Sequence, residues 1–310
     1  MKQEFTYPSR DGATRIHAIE WKPEGEIKAV LQMCHGMVEY IDRYDAFARF
    51  LNEHGYYVVG HDHLGHGGSV RSEELHGYFH DTRGNECVIG DIHKLRLITK
   101  EKYPDIPYFM LGHSMGSFLI RQYMELYGEG LSGVIVMGTG SQPAVVLGAG
   151  RMLCRVIAAV RGWTYRSALI DNMAFGSYNK KFEPARTDKD WLTKDESIVD
   201  AYRAHPWCTF RFTVNAYYHM FRGIQFAQKK ENIRRIPVNL PLFLVAGADD
   251  PVGNFGKSVK QVYDTYRKCG IQDVSIKLYE NDRHEILNET DRDTVFTDIL
   301  EWLEEKRNKL

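Results

Sequence analysis

Six short apolar runs, flanked by Gly, Pro or Asp, alternate along the chain with longer segments in which apolar residues recur every three or four positions. The runs are Lys28 to Met33, Tyr56 to Gly60, Pro107 to Leu111, Gly133 to Met137, Pro241 to Ala246 and Val274 to Tyr279. Their near-continuous hydrophobicity predicts parallel strands covered on both faces. The intervening segments, Tyr44 to His54, Glu86 to Tyr103, Ser117 to Tyr127, Lys257 to Lys268 and Asp291 to Lys306, predict the crossover helices that cover them. Ahead of the first run, Glu4 to Trp21 alternates around a Ser9-Arg10-Asp11-Gly12 turn and predicts an antiparallel hairpin at the sheet edge. The fold class is therefore α/β, a mostly parallel, doubly wound sheet.

This rhythm fails between residues 141 and 236, which are helix-compatible, rich in aromatics and without a clear buried strand. The expected organisation is a main domain of residues 1–140 and 237–310 with a helical insertion at 141–236. Ala144 to Val160 opens the insertion as an amphipathic helix with a broad apolar face and arginines at 151 and 155. It suits packing on the main domain, and equally a lid over an apolar pocket.

Composition narrows the partners. The chain has 310 residues, 43% hydrophobic, 12% aromatic and 26% charged, enough to build a large core. With 40 basic against 41 acidic residues and no long single-sign block, it lacks the field that a nucleic-acid binder needs. No apolar run approaches the roughly 18 residues that would span a bilayer. The first residues, Met1-Lys2-Gln3-Glu4, show no secretory pattern, so the cytoplasm is the expected compartment. Five scattered cysteines (34, 87, 154, 208 and 269) form no C-x-x-C pair and read as reduced thiols. Nothing fixes the oligomeric state.

The strongest chemical signal is Gly112-His113-Ser114-Met115-Gly116, a G-x-S-x-G between an apolar strand and a helical pattern. A sharp strand-to-helix turn strains its central residue, demands small neighbours and lifts Ser114 above the sheet as a candidate nucleophile. Such a serine needs a base, and the base an orienting acid, in the chain order serine, acid, histidine. Asp249 and Asp250 follow one late strand and His284 follows the next, which puts both at the carboxyl edge of the sheet. The residues alone leave the two aspartates competing. Candidate oxyanion donors are the backbone N–H of Met115, next to Ser114, and of Met37, in the loop Cys34-His35-Gly36-Met37. His61, His63 and His66 offer a rival metal-binding reading, but Gly65 stands where a two-metal site would hold an acid, so hydrogen-bonded structural histidines are expected instead.

With the elbow, His35-Gly36-x-x-Glu39, His61-Asp62-His63-x-Gly65-His66-Gly67-x-Ser69, Gly247-x-x-Asp250 and His284 in view, the chain resembles the monoacylglycerol lipase and lysophospholipase branch of the α/β-hydrolases, also labelled serine aminopeptidase S33-like. The resemblance covers the main domain from about Lys28 onward and implies Ser114 as nucleophile, Asp250 as acid, His284 as base, and the Met37 and Met115 amides as oxyanion donors. It implies a helical cap at 141–236 that admits lipid esters, with peripheral membrane contact through that cap, and no cofactor or metal. Cleavage of carboxylic esters follows, of monoacylglycerol or lysophospholipid type. The rivals are an amidase, a peptidase or a short-chain esterase with the same triad, and a non-catalytic binder.

Overall fold

A computed structural model describes residues 1–310. Its one sheet has eight strands: β1 (Lys2–Pro8), β2 (Arg15–Trp21), β3 (Ala29–Cys34), β4 (Tyr56–His61), β5 (Tyr108–His113), β6 (Gly133–Met137), β7 (Leu242–Gly247) and β8 (Val274–Tyr279). They lie in the order β1-β2-β4-β3-β5-β6-β7-β8. From β4 to β8 neighbouring strands are parallel, and the β1–β2 hairpin adds the antiparallel edge. In the hairpin turn, Asp11 Oδ1 accepts the amides of Ala13 and Thr14, each at 2.8 Å, and Gly12 takes a φ of 82°.

Ten helices accompany the sheet: α1 (Asp45–Glu53), α2 (Gly84–Lys102), α3 (Met115–Tyr127), α4 (Ala144–Arg161), α5 (Ala168–Phe175), α6 (Glu196–Ala204), α7 (Val214–Ala227), α8 (Lys230–Ile233), α9 (Lys257–Lys268) and α10 (Arg292–Arg307). Successive strand residues point to opposite faces, so each apolar run feeds two cores. Val30, Met110, Val134 and Leu244 pack with Ile92 of α2, Ile120 of α3 and Val259 of α9. Leu31, Leu111, Ile135 and Val245 pack with Phe47 of α1 and Phe296 and Ile299 of α10. Each fully buried side chain of this size contributes roughly 1.5–3 kcal/mol.

Between β6 and β7 there is no strand, only α4 to α8 and short single-turn helices. Helix α7 lies on α3 and α2, and α4 lies on α7. The sequence-based boundaries need small corrections: β3, β4, β5 and β7 run one or two residues past their expected ends, and α3 starts at Met115, not Ser117. The order of strands reverses at β3, whose neighbours are β4 on one side and β5 on the other. A crevice therefore opens at the carboxyl ends of β3 and β5, where His35 and Ser114 emerge.

Candidate active site

Ser114 joins β5 directly to α3 with φ 53° and ψ −118°, a left-handed backbone that side-chain-bearing residues rarely adopt. Tight packing imposes it. A Cβ on Gly112 would lie 2.4 Å from the Gly116 carbonyl oxygen, and one on Gly116 would lie 2.1 Å from the Cys34 oxygen. The Ser114 amide donates to Met137 O at 3.0 Å. Met115 opens α3, so its amide is among those with no partner within the helix. The β3 loop reaches the same place, since a Cβ on Gly36 would come within 3.1 Å of Ser114 Cβ.

His284 and Asp250 arrive from the ends of β8 and β7. His284 Nδ1 lies 2.9 Å from Asp250 Oδ1, which also accepts the Val252 amide at 2.8 Å. Both side chains are buried, and His284 Nε2 has no partner within the protein. Asp249 turns away to an ion pair with Lys181. His284 and Ser114 border one cavity.

A buried ionic network supports this edge, and the sequence reading gave it no role. Arg43 NH1 lies 2.6 Å from Glu39 Oε2, and its NH1 and NH2 grip Glu285 at 2.8 and 2.7 Å. Glu39 Oε1 accepts the Gly36 amide and the Tyr44 hydroxyl. His113 faces Glu39 through Nδ1 at 3.4 Å and the His284 carbonyl through Nε2 at 3.2 Å. Burial opposes ionisation of Glu39, but His113 and Arg43 outweigh it and hold its carboxyl far below the usual range. Glu285 is likewise held low by Arg43 against its burial. The four-residue spacing of Glu39 and Arg43 was a visible signal; their link to Glu285 was not.

The His284 loop is also stitched to the insertion. Glu285 N donates to Leu192 O at 2.7 Å, and Thr193 Oγ1 donates to Asn288 O at 3.0 Å. The Trp191 ring lies 5.1 Å from that of His284. The acidic group Asp282, Glu289 and Asp291 could gather a cation, but the Lys194 ammonium already lies 2.8 Å from Asp282 and 3.8 Å from each of the others.

The histidines of the second motif do not converge on a common point. His63 Nδ1 meets His61 Nε2 at 3.2 Å, His66 Nδ1 meets Leu64 O at 3.3 Å, and all three rings are buried. Burial pushes His61 and His66 down to about 3. Asp62 braces the turn by accepting His17 Nδ1 and the amides of Ile41 and Gly68.

Two chambers meet at Ser114. One, of about 390 Å³, is walled mostly by apolar side chains, among them Phe118, Leu147, Leu153, Ile170, Met220 and Phe221. The other, of about 360 Å³, is walled by polar groups including Glu39, Asp171, Asp188, Arg203, Arg211 and His284. Met37 borders both.

The family model described as "Serine aminopeptidase, S33" matches residues 25–291. Mouse (Mus musculus) monoglyceride lipase is 26% identical over 293 residues, covering 91% of this chain and 84% of its own. Monoacylglycerol lipase of Mycolicibacterium smegmatis is 26% identical over 300 residues, covering 94% of each. The crystal structure of a highly thermostable carboxyl esterase from Bacillus coagulans in complex with glycerol superposes with a TM-score of 0.92 at 29% identity, over 99% of each chain.

Proposed function

Because the chain belongs to the serine aminopeptidase S33 family of α/β-hydrolases, and because it is a carboxylic ester hydrolase by its likeness to the monoglyceride lipases, we propose that Ser114, His284 and Asp250 form its catalytic triad and that its substrates are monoacylglycerol-type lipid esters. The observation that carries the substrate reading is the position of Ser114 at the junction of an apolar and a polar chamber. An acyl chain suits the first and a hydrophilic leaving alcohol the second.

In this reading His284 Nε2 takes the Ser114 hydroxyl proton as Oγ attacks the ester carbonyl. Asp250 holds Nδ1–H and stabilises the imidazolium that forms. The tetrahedral oxyanion lies against the Met37 and Met115 amides. Collapse expels the alcohol with the proton from His284, and water repeats the sequence on the acyl-enzyme to release the fatty acid. No cofactor enters.

The cations of the polar chamber each lie beside a carboxylate: Arg203 and Lys189 share Asp188 at 3.1 and 3.5 Å, and Arg211 pairs with Asp171 at 3.3 Å. No unpaired guanidinium is left for a phosphate, which favours a neutral polyol over a lysophospholipid headgroup. Residues 141–236 act as the cap. No helix is long and apolar enough to cross a membrane, but Val145, Met152, Val156 and Val160 of α4 and nearby Met173 are exposed and suit contact with the lipid surface where such esters reside.

The test is the initial rate on acyl esters from acetyl to palmitoyl, with 1-monoacylglycerols and lysophosphatidylcholines of matched chain and Ser114→Ala as blank. Rates should peak at long chains and favour the glycerol ester. Undiminished hydrolysis by Ser114→Ala refutes the triad. Rates confined to acetyl and butyryl esters, or to aminoacyl arylamides, refute the substrate class.

A further inference from the structure

His35 is fully buried behind the loop that carries Met37. Its Nδ1 lies 2.7 Å from Gly36 O, and its Nε2 lies 2.9 Å from the backbone nitrogen of His63. A backbone N–H can only donate, so Nε2 must accept. Nδ1 therefore carries the ring's single proton and donates it to the Gly36 carbonyl.

The next ring fixes this arrangement further. His63 Nε2 faces the His35 carbonyl at 3.2 Å, which can only accept, so His63 is protonated at Nε2. Its Nδ1 is then left to accept from His61 Nε2 at 3.2 Å, and His61 Nδ1, the bare nitrogen this requires, has no partner in the protein. Three imidazoles are thus each neutral in one defined tautomer. Burial supports this by drawing the pKa of all three down.

The Gly36 carbonyl shares its peptide unit with the Met37 amide. That unit is trans and planar, so its C=O and N–H point in opposite directions, and holding one aims the other. Glu39 holds the preceding amide, Gly36 N–H, from the other side. The loop is thereby tied at two successive peptides.

We propose that His35 is a positioning residue for oxyanion binding: its Nδ1–H, fixed in that tautomer by the His63 amide, holds the Gly36 carbonyl so that the Met37 N–H faces the reacting carbonyl in front of Ser114. This rests on the reading of Met37 as an oxyanion donor. Charge develops on that oxygen only as the reaction proceeds, so the interaction acts on the transition state and not on substrate binding.

Two substitutions in the full chain separate the functions of the ring. In His35→Gln the amide oxygen can reach the Nε2 position and accept from His63, but nothing donates to Gly36. In His35→Asn an N–H stands near the Nδ1 position. Deleting one oxyanion donor costs about 10²–10³-fold in kcat, and misaiming one costs less, so His35→Gln should lose ~10–100-fold in kcat with KM within about twofold. His35→Asn should recover at least ~10-fold of a 100-fold loss. Equal losses in both variants that track a fall in Tm, or wild-type kcat in His35→Gln, would overturn the proposal.

A measurement on the unsubstituted protein does not depend on either variant folding. Ring ¹⁵N shifts of labelled histidines should show His35 as the neutral Nδ1–H tautomer and His63 as the Nε2–H tautomer; an Nε2–H or charged His35 at pH 7 overturns the inference. Ser114→Ala distinguishes the levels. If it remains active, the acyl-enzyme reading falls; if it is dead while His35→Gln turns over normally, only the role of His35 falls.

Discussion

Replacing Arg43 by Met keeps most of the side-chain volume and removes the one guanidinium between Glu39 and Glu285. Both carboxylates are about 4% exposed and Arg43 about 10%, so solvent cannot take over. Breaking a buried pair by removing one partner costs about 3–5 kcal/mol, because a charge is left without compensation. A chain of this kind has only about 5–15 kcal/mol in total. His113 remains beside Glu39, so Glu285 bears most of the loss. The deficit should itself depend on pH. In the wild type both carboxyls are held low, and a depressed carboxyl contributes stability that is present above its unfolded pKa and lost as pH falls through the folded one. Without Arg43, burial instead raises the Glu285 carboxyl, which folds protonated and gains stability as pH falls from neutral toward 5. Urea unfolding at pH 7.5 should therefore show a deficit of about 3–5 kcal/mol, shrinking by ~1–3 kcal/mol at pH 5. Adding Glu285→Gln should restore part of the stability at pH 7.5. A deficit under about 1 kcal/mol, or one that grows on acidification, would refute the network's role.

Asp250→Asn should lower kcat by roughly 10⁴-fold, as for a triad aspartate, whereas Asp249→Asn loses only an ion pair with the half-exposed Lys181 and should stay within a few-fold; steady-state rates on a monoacylglycerol decide, and the opposite ranking moves the role to Asp249. Glu125 of α3 is buried with both oxygens unpartnered, and burial pushes its carboxyl up to about 8. Its folded pKa lies above the unfolded value, so its cost to stability begins above about pH 4.5, grows to about pH 8 and is then constant. Glu125→Gln should raise Tm at pH 8.5, by at most ~5 kcal/mol of stability, and leave it unchanged at pH 4.5; equal Tm values at pH 8.5 would show that the carboxyl ionises in the fold as readily as in the unfolded chain.

The sheet was legible because its strands are buried on both faces, which writes burial into the sequence as unbroken apolar runs. The same criterion truncated them. Cys34, His61, His113 and Gly247 end their strands at the carboxyl edge, where polar and small residues replace aliphatic ones because that edge faces the site. Helix α3 began two residues earlier than its periodicity indicated because the elbow enters the helix through Met115 and Gly116, and Gly116 answers to the close approach of Cys34 and not to an apolar stripe.

The elbow, the aspartate pair and His284 could be found because each follows its own strand end, so local context carried the signal. The groups that hold them in place are joined across the fold. Arg43 and Glu285 are 242 positions apart, and the insertion meets the His284 loop through Glu285 N on Leu192 O and Thr193 Oγ1 on Asn288 O, contacts in which at least one partner is a main-chain atom that any sequence would present. The pairing of the two chambers was hidden for a related reason. Phe118 reads as an ordinary core position of α3, and Leu147 and Ile170 as ordinary positions of helical segments, until α7 is laid across α3 and α4 across α7. Their apolar faces then enclose space in place of filling it. A hydrophobic residue lining a cavity and one filling a core obey the same periodicity, so what separates them is the relative placement of helices, a tertiary property on which the local pattern is silent.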